Sequence, residues 1–262
     1  MQNGQEHYRR FFFRYFYQPW TFSLVDEIAE ASGRGFFLGV AGAFGLAYPW
    51  FHPEVVHTVQ RNLELLLGRK VPESEARRVF HRFSECIADY SWMGRQKLEE
   101  SASLCTEYSG IEGIEAALER GRGAVLATGH FSFFEYGALI LTRRRLPVSI
   151  LTLSEHNEEL TDWRAQYRKR WGADTIELGA DPLAPVAVVR KLQENQLCAM
   201  LVDRPALGFT QPYKLPGGYT PFSTSAALLA YLGDCPVIPV ITTRLDNGNY
   251  RLVAKPPISV RD

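Results

Sequence analysis

Residues 124–141 read AVLATGHFSFFEYGALIL, an apolar run interrupted by one histidine, His130, and one carboxylate, Glu135. Its first six residues, AVLATG, are a short, largely apolar run that ends on glycine, which reads as a buried strand. The remainder, from Phe131, is long enough and regular enough for a helix. His130 therefore falls at the carboxyl end of a strand, where open α/β sheets place their ligands. Carboxylates are almost never fully buried without a partner. Glu135 either satisfies His130 in a structural pair or shares a cleft with it and takes part in chemistry. Five residues apart in one helix the two would point about 140° away from each other. With the histidine before the helix and the glutamate in its first turns, they can converge on one pocket.

The texture on either side of this segment fixes the fold class. From residue 110 onward the chain alternates: IEGIEAALERGRG as a helix closed by glycines, PVSILTL as a strand, HNEELTDWRAQYRKRWG as a helix. DTIEL, LCAMLVD, PVIPVITTR and YRLVAKPP read as further strands, with PLAPVAVVRKLQEN and STSAALLAYLG as helices between them. Such alternation predicts an α/β domain with a mostly parallel sheet covered by helices. Upstream, helices are expected near 54–67 and 73–100, the second with Ala76, Val79, Phe80, Phe83, Ile87 and Tyr90 at helical spacing.

The N-terminal stretch is different in kind. Residues 35–51, GFFLGVAGAFGLAYPWF, form an uncharged run of 17 with four glycines and one proline. A spanning helix needs about 20 apolar residues, so this run is either a helix packed through its small residues or one that lies in a membrane interface. Phe11, Phe12, Phe13, Tyr15, Phe16 and Trp20, mixed with Arg9, Arg10 and Arg14, suit a headgroup boundary. The expected division is a membrane-associating segment over 1–51 and an α/β domain with a helical lead-in over 52–262. No secretory signal is apparent.

Composition narrows the function classes. The 262 residues carry 29 basic and 29 acidic side chains, a formal net charge of zero. Nucleic acid as the main partner would call for a basic excess. The four cysteines, Cys86, Cys105, Cys198 and Cys235, lack any metal-ligand spacing and read as buried thiols in a reducing compartment. No metal or tightly bound redox cofactor is expected, because neither a ligand cluster nor a dinucleotide fingerprint is present. Ser132, beside His130, lacks the G-x-S-x-G elbow of serine hydrolases. A helix-capping role is expected for it instead.

His130 and Glu135 form an H-x4-E pattern, which alone is common by chance. Its surroundings are more specific. The block EYSGIEGIEAALERGRGAVLATGHFSFFE resembles the corresponding lead-in and motif of the bacterial lipid A biosynthesis (late) acyltransferases, within the wider group of lysophospholipid acyltransferase-like proteins. VRKLQENQLCAMLVDRPALG and LPGGYTPFSTSAALLAYLGDCPVIPV resemble the family's later blocks in order, as does the upstream segment containing Asn62-Leu63. The resemblance covers about residues 35–260.

It implies transfer of a fatty acyl chain from an acyl thioester, on acyl carrier protein or coenzyme A, to a hydroxyl of a lipid or glycolipid. The implied place is the cytoplasmic side of the inner membrane. His130 is implied as general base, with Glu135 holding its ring. Asp203, Arg204, Gly217 and Gly218 are implied substrate-binding positions, and Arg170 is the best positional match to the family's arginine. Arg143, Arg144 and Arg145 favour a helix C-terminus or an anionic headgroup. A second reading is a membrane-associated lipid-binding protein that keeps the fold without catalysis.

Overall fold

The computed structural model describes residues 19–153, 158–178, 183–204 and 210–261. The sequence expectations for Phe11 to Phe16 and for Arg9, Arg10 and Arg14 lie outside the described residues. A helical lead-in comprises α1 (Pro19–Ser32), α2 (Arg34–Phe51), α3 (Pro53–Leu67), α4 (Glu73–Met93) and the short α5 (Leu98–Ser103). The α/β part then runs β1 (Cys105–Ser109), α6 (Ile111–Glu119), β2 (Ala124–Thr128), α7 (Tyr136–Arg143), β3 (Val148–Leu153), α8 (Glu158–Arg170) and β4 (Asp174–Leu178). It continues through α9 (Ala184–Gln193), β5 (Leu197–Leu201), β6 (Thr210–Leu215), β7 (Gly218–Ser223), α10 (Ser225–Gly233), β8 (Val237–Arg244) and β9 (Tyr250–Ala254).

Seven strands form one sheet in the order β1-β9-β8-β2-β5-β3-β4. The five from β8 to β4 are parallel; β9 returns antiparallel to β8 and carries β1 with it. The mostly parallel sheet expected from the alternation is present. Period-two alternation divides each strand between two cores. Leu126, Ile150, Leu197 and Ile238 face Leu139, Tyr136 and Tyr167 from α7 and α8, while Val125, Leu151, Cys198 and Val237 face Val188, Leu192 and Leu229 from α9 and α10. Three strands escaped the sequence reading. β1 has one buried residue and so shows no apolar pattern, and β6–β7 form a separate, largely exposed hairpin with no buried residue to mark it in the sequence.

The glycines of α2 are packing residues. Gly42 and Gly45 are buried against α4, and a methyl group at Gly45 would stand 2.2 Å from Ser84 Oγ and 2.8 Å from the Phe80 carbonyl. The opposite side of α2 is open: Phe36, Phe44 and Trp50 are 65%, 65% and 73% exposed. On α4, Ala76 is buried as its spacing suggests, but Val79, Phe83 and Ile87 are exposed. Among the described residues no helix is long and apolar enough to cross a membrane.

A buried carboxylate ties this lead-in to the sheet. Asp89 on α4 accepts hydrogen bonds from Arg34 Nε at 2.7 Å, Arg244 Nε at 3.2 Å and the Tyr250 hydroxyl at 2.8 Å. Burial, and then the Asp89 charge, push the Tyr250 hydroxyl far above its ordinary pKa, so it stays a donor.

Candidate active site

The site grows from the register of two neighbouring strands. β2 and β5 are parallel, with Thr128 paired to Leu201. His130 and Asp203 each lie two residues beyond that pair, so the chain delivers both to the same spot at the strands' carboxyl ends. Asp203 accepts two hydrogen bonds from one residue: His130 Nδ1 is 2.8 Å from Oδ1, and the His130 backbone N–H donates to Oδ2 at 2.9 Å. Gly129 permits this approach, since a Cβ there would sit 3.4 Å from the Asp203 carboxyl carbon and 3.0 Å from the Phe131 ring. Burial pushes the Asp203 carboxyl up, but the ring and backbone bonds from His130 outweigh it and hold the group below its ordinary value. Both side chains remain about 30% exposed, which leaves the far side of the imidazole open to a ligand.

Residues 131–135 are not helical, contrary to the expectation of a helix from Phe131; α7 begins at Tyr136. Separate anchors hold this loop. Phe133 is buried among the rings of Tyr90, Tyr136, Trp171 and Tyr250. Ser132 sits at φ +50°, and its Oγ accepts the Arg244 backbone N–H at 3.0 Å. The hydroxyl therefore ties the loop to the end of β8 rather than capping α7. The Phe134 ring meets the His130 ring edge-on, with centroids 5.3 Å apart. Behind the loop, burial first and foremost pushes the Cys86 thiol up to about 11.

Glu135 is placed differently from expectation. Its carboxylate does not hold the His130 ring; Asp203 does. Glu135 Oε1 instead accepts from Arg168 Nη2 at 2.6 Å, in a pair whose side chains are 6% and 4% exposed. The arginine brought to the motif is likewise Arg168 and not Arg170. On α8, positions 160, 164, 168 and 171 share a face at helical spacing, and Leu160 and Trp171 at its ends are buried. Arg170 points off that face, is exposed, and lies over the Tyr167 ring. The sequence carried this signal in the spacing of Arg168 to Leu160 and Trp171.

The remaining candidates fall into two groups. Arg204 follows Asp203 and is exposed at the site's rim. Gly217 and Gly218 lie at the turn of the β6–β7 hairpin, against α3: the Gly217 N–H donates to the Leu65 carbonyl at 2.8 Å, and a Cβ there would be 2.3 Å from the Glu64 carbonyl. Their smallness serves docking of the hairpin on α3. Arg143 and Arg144 end α7 next to Glu99 and Glu115.

Beneath α7 runs an apolar cavity of about 60 Å³, lined by Leu126, Ala138, Leu141, Val148, Ile150, Ala199 and Val240. Its wall includes Thr128, two residues before His130, and Phe134, the ring against the imidazole. Glu135 and Arg168 also line it. The arrangement offers a histidine with one ring nitrogen committed to a carboxylate, next to a Phe134 ring that is itself part of the cavity wall.

Among curated proteins, none matches the chain. A protein family does: the family described as bacterial lipid A biosynthesis acyltransferase matches residues 11–262. With nearly its whole length covered, the chain belongs to the bacterial lipid A biosynthesis acyltransferase family.

Proposed function

We propose that this acyltransferase moves a fatty acyl group from a thioester, on acyl carrier protein or coenzyme A, to a hydroxyl of a lipid or glycolipid. The observation that carries the reading is the His130–Asp203 dyad beside the apolar cavity. Asp203 accepts a hydrogen bond from Nδ1–H, which leaves Nε2 as the lone-pair-bearing base. The acceptor hydroxyl gives its proton to Nε2 while its oxygen attacks the thioester carbonyl. The tetrahedral oxyanion then collapses, the carbon–sulfur bond breaks, and the imidazolium returns the proton to the departing thiolate. Asp203 stabilises that imidazolium. The apolar lining at this end of the sheet meets part of the hydrocarbon chain and so favours a carbonyl near His130. Glu135 acts one step removed, pairing Arg168 and fixing the end of the motif loop.

The work surface is the cytoplasmic side of the inner membrane, with attachment peripheral or monotopic. The exposed apolar side chains of α2 and α4, among them Phe36, Phe44, Trp50 and Phe83, support the attachment.

The test is direct. Purified protein incubated with labelled acyl thioester and membrane lipid extract should yield labelled lipid. His130→Ala should fold normally and lose roughly 10²–10⁴ in turnover, the usual contribution of a positioned acid–base group. Turnover near the unmodified level would remove His130 from the mechanism, and a wild-type protein that binds lipid without transfer would favour the non-catalytic alternative.

A further inference from the structure

Two anchors hold the loop that follows His130, and both lead to one buried carboxylate. Ser132 Oγ accepts the Arg244 backbone N–H at 3.0 Å, and the Phe133 and Tyr250 rings meet edge-on with centroids 5.9 Å apart. Arg244 and Tyr250 lie opposite each other in the antiparallel β8–β9 pair. Opposed residues in such a pair carry their side chains on one face of the sheet, so a single group there can hold both. Asp89 on α4 is that group. Its Oδ2 accepts from Arg244 Nε at 3.2 Å and from the Tyr250 hydroxyl at 2.8 Å. The carboxylate is itself fixed: it is fully buried, and Arg34 donates to it through Nε at 2.7 Å and Nη2 at 3.1 Å.

We propose that Asp89 is a positioning residue for the transfer reaction, setting the course of the loop after His130 and so the aim of the imidazole. The role rests on His130 being the base, as proposed above. Asp203 grips the His130 ring and backbone N–H. The chain leaving the histidine is held at Ser132 and Phe133. Ser132 sits at φ +50°, in a region that a non-glycine residue occupies at a cost and keeps where its surroundings impose it. Loss of either anchor leaves the other in place, whereas Asp89 is common to both. Without its charge, Arg244 keeps one carboxylate among the described residues, Glu85 at 3.1 Å from Nη1, and is drawn toward it. The Tyr250 hydroxyl loses its acceptor, and with it the bond that fixes the ring against Phe133.

The experiment uses the whole protein with labelled acyl thioester and membrane lipid extract. Asp89→Ala should lower kcat about tenfold or more, since a misplacement of about 1 Å can cost roughly 10²-fold. KM for the thioester should stay within about twofold, the pattern of a loss felt in the transition state. The ¹⁵N shifts of the His130 ring should move from the Nδ1–H tautomer toward an average of the two. Asp89→Ala also cuts the tie to Arg34; if it does not fold, Arg244→Leu/Tyr250→Phe takes its place. That double variant leaves Asp89 paired with Arg34 and frees both anchors from the carboxylate, so the same drop in kcat and the same ring shifts are expected. Parent kcat and ring shifts in either folded variant, or a rise in KM at unchanged kcat, overturn the proposal and leave Asp89 as a tie between α2 and the sheet. A parent protein that transfers no acyl group overturns the reaction proposed above instead, and the ring shifts then decide the role of Asp89 alone.

Discussion

Replacing Asp203 with asparagine keeps the size of the side chain and changes one oxygen to an amide nitrogen, yet the geometry makes it a severe change. The carboxylate accepts from two N–H groups of the same residue, the His130 backbone at 2.9 Å and the ring Nδ1 at 2.8 Å. An amide has one acceptor oxygen to offer. The backbone N–H is an obligatory donor, so the amide oxygen turns to it and the NH2 turns to Nδ1. That forces the ring proton onto Nε2, and the base can no longer accept from the acceptor hydroxyl. The opposite orientation keeps the right tautomer but sets NH2 against N–H. Two unsatisfied donors cost roughly 2–6 kcal/mol at about 1–3 each. At about 1.36 kcal/mol per tenfold, the productive form falls by a factor of about 30 to 3 × 10⁴. Turnover with acyl thioester and lipid acceptor should fall on that scale, with Asp203→Asn at least as damaging as Asp203→Ala, which leaves room for water. The ¹⁵N shifts of the His130 ring should show the Nε2–H tautomer in the asparagine variant. Asp203→Asn activity within tenfold of the parent would refute the reasoning.

Other consequences are independent of that one. The Asp203 carboxyl is held below its ordinary value, so its contribution to stability is complete above about pH 4 and is lost as the pH falls through the lower native value. Urea midpoints of the parent and Asp203→Asn should therefore converge in acid, and a gap that widens there would contradict the assignment. Ser132→Ala removes the acceptor for the Arg244 N–H and should cost about 1 kcal/mol while leaving turnover within a few-fold, whereas an acyl-serine trapped at this position would overturn direct transfer. Gly45→Ala drives a methyl into Ser84 and the α4 backbone; a loss of about 1–3 kcal/mol in denaturant unfolding is expected, and an unchanged midpoint would mean that α2 does not pack there.

The sequence by itself determined much of what depends on local pattern, though not β1, the β6–β7 hairpin or the loop at 131–135. AVLATG is apolar and short, so it forms a buried strand; the residue after its glycine must emerge at the carboxyl edge, and that residue is His130. For residues 35–51 the sequence left open a helix packed through its small residues or one lying in a membrane interface, and Gly42 and Gly45 make the close contact with α4. Partner choice was decided elsewhere. His130 and Asp203 are 73 residues apart in the chain, and only the parallel pairing of β2 with β5 brings them to equal height. A five-residue spacing made Glu135 look like the partner of His130, but residues 131–135 form a loop and not a helical turn. Phe133 enters an aromatic core and Ser132 is tied to β8, which swings Glu135 under α7 toward Arg168. Local periodicity sets which face of an element is buried, while register and packing between distant elements set which buried or half-buried charges meet.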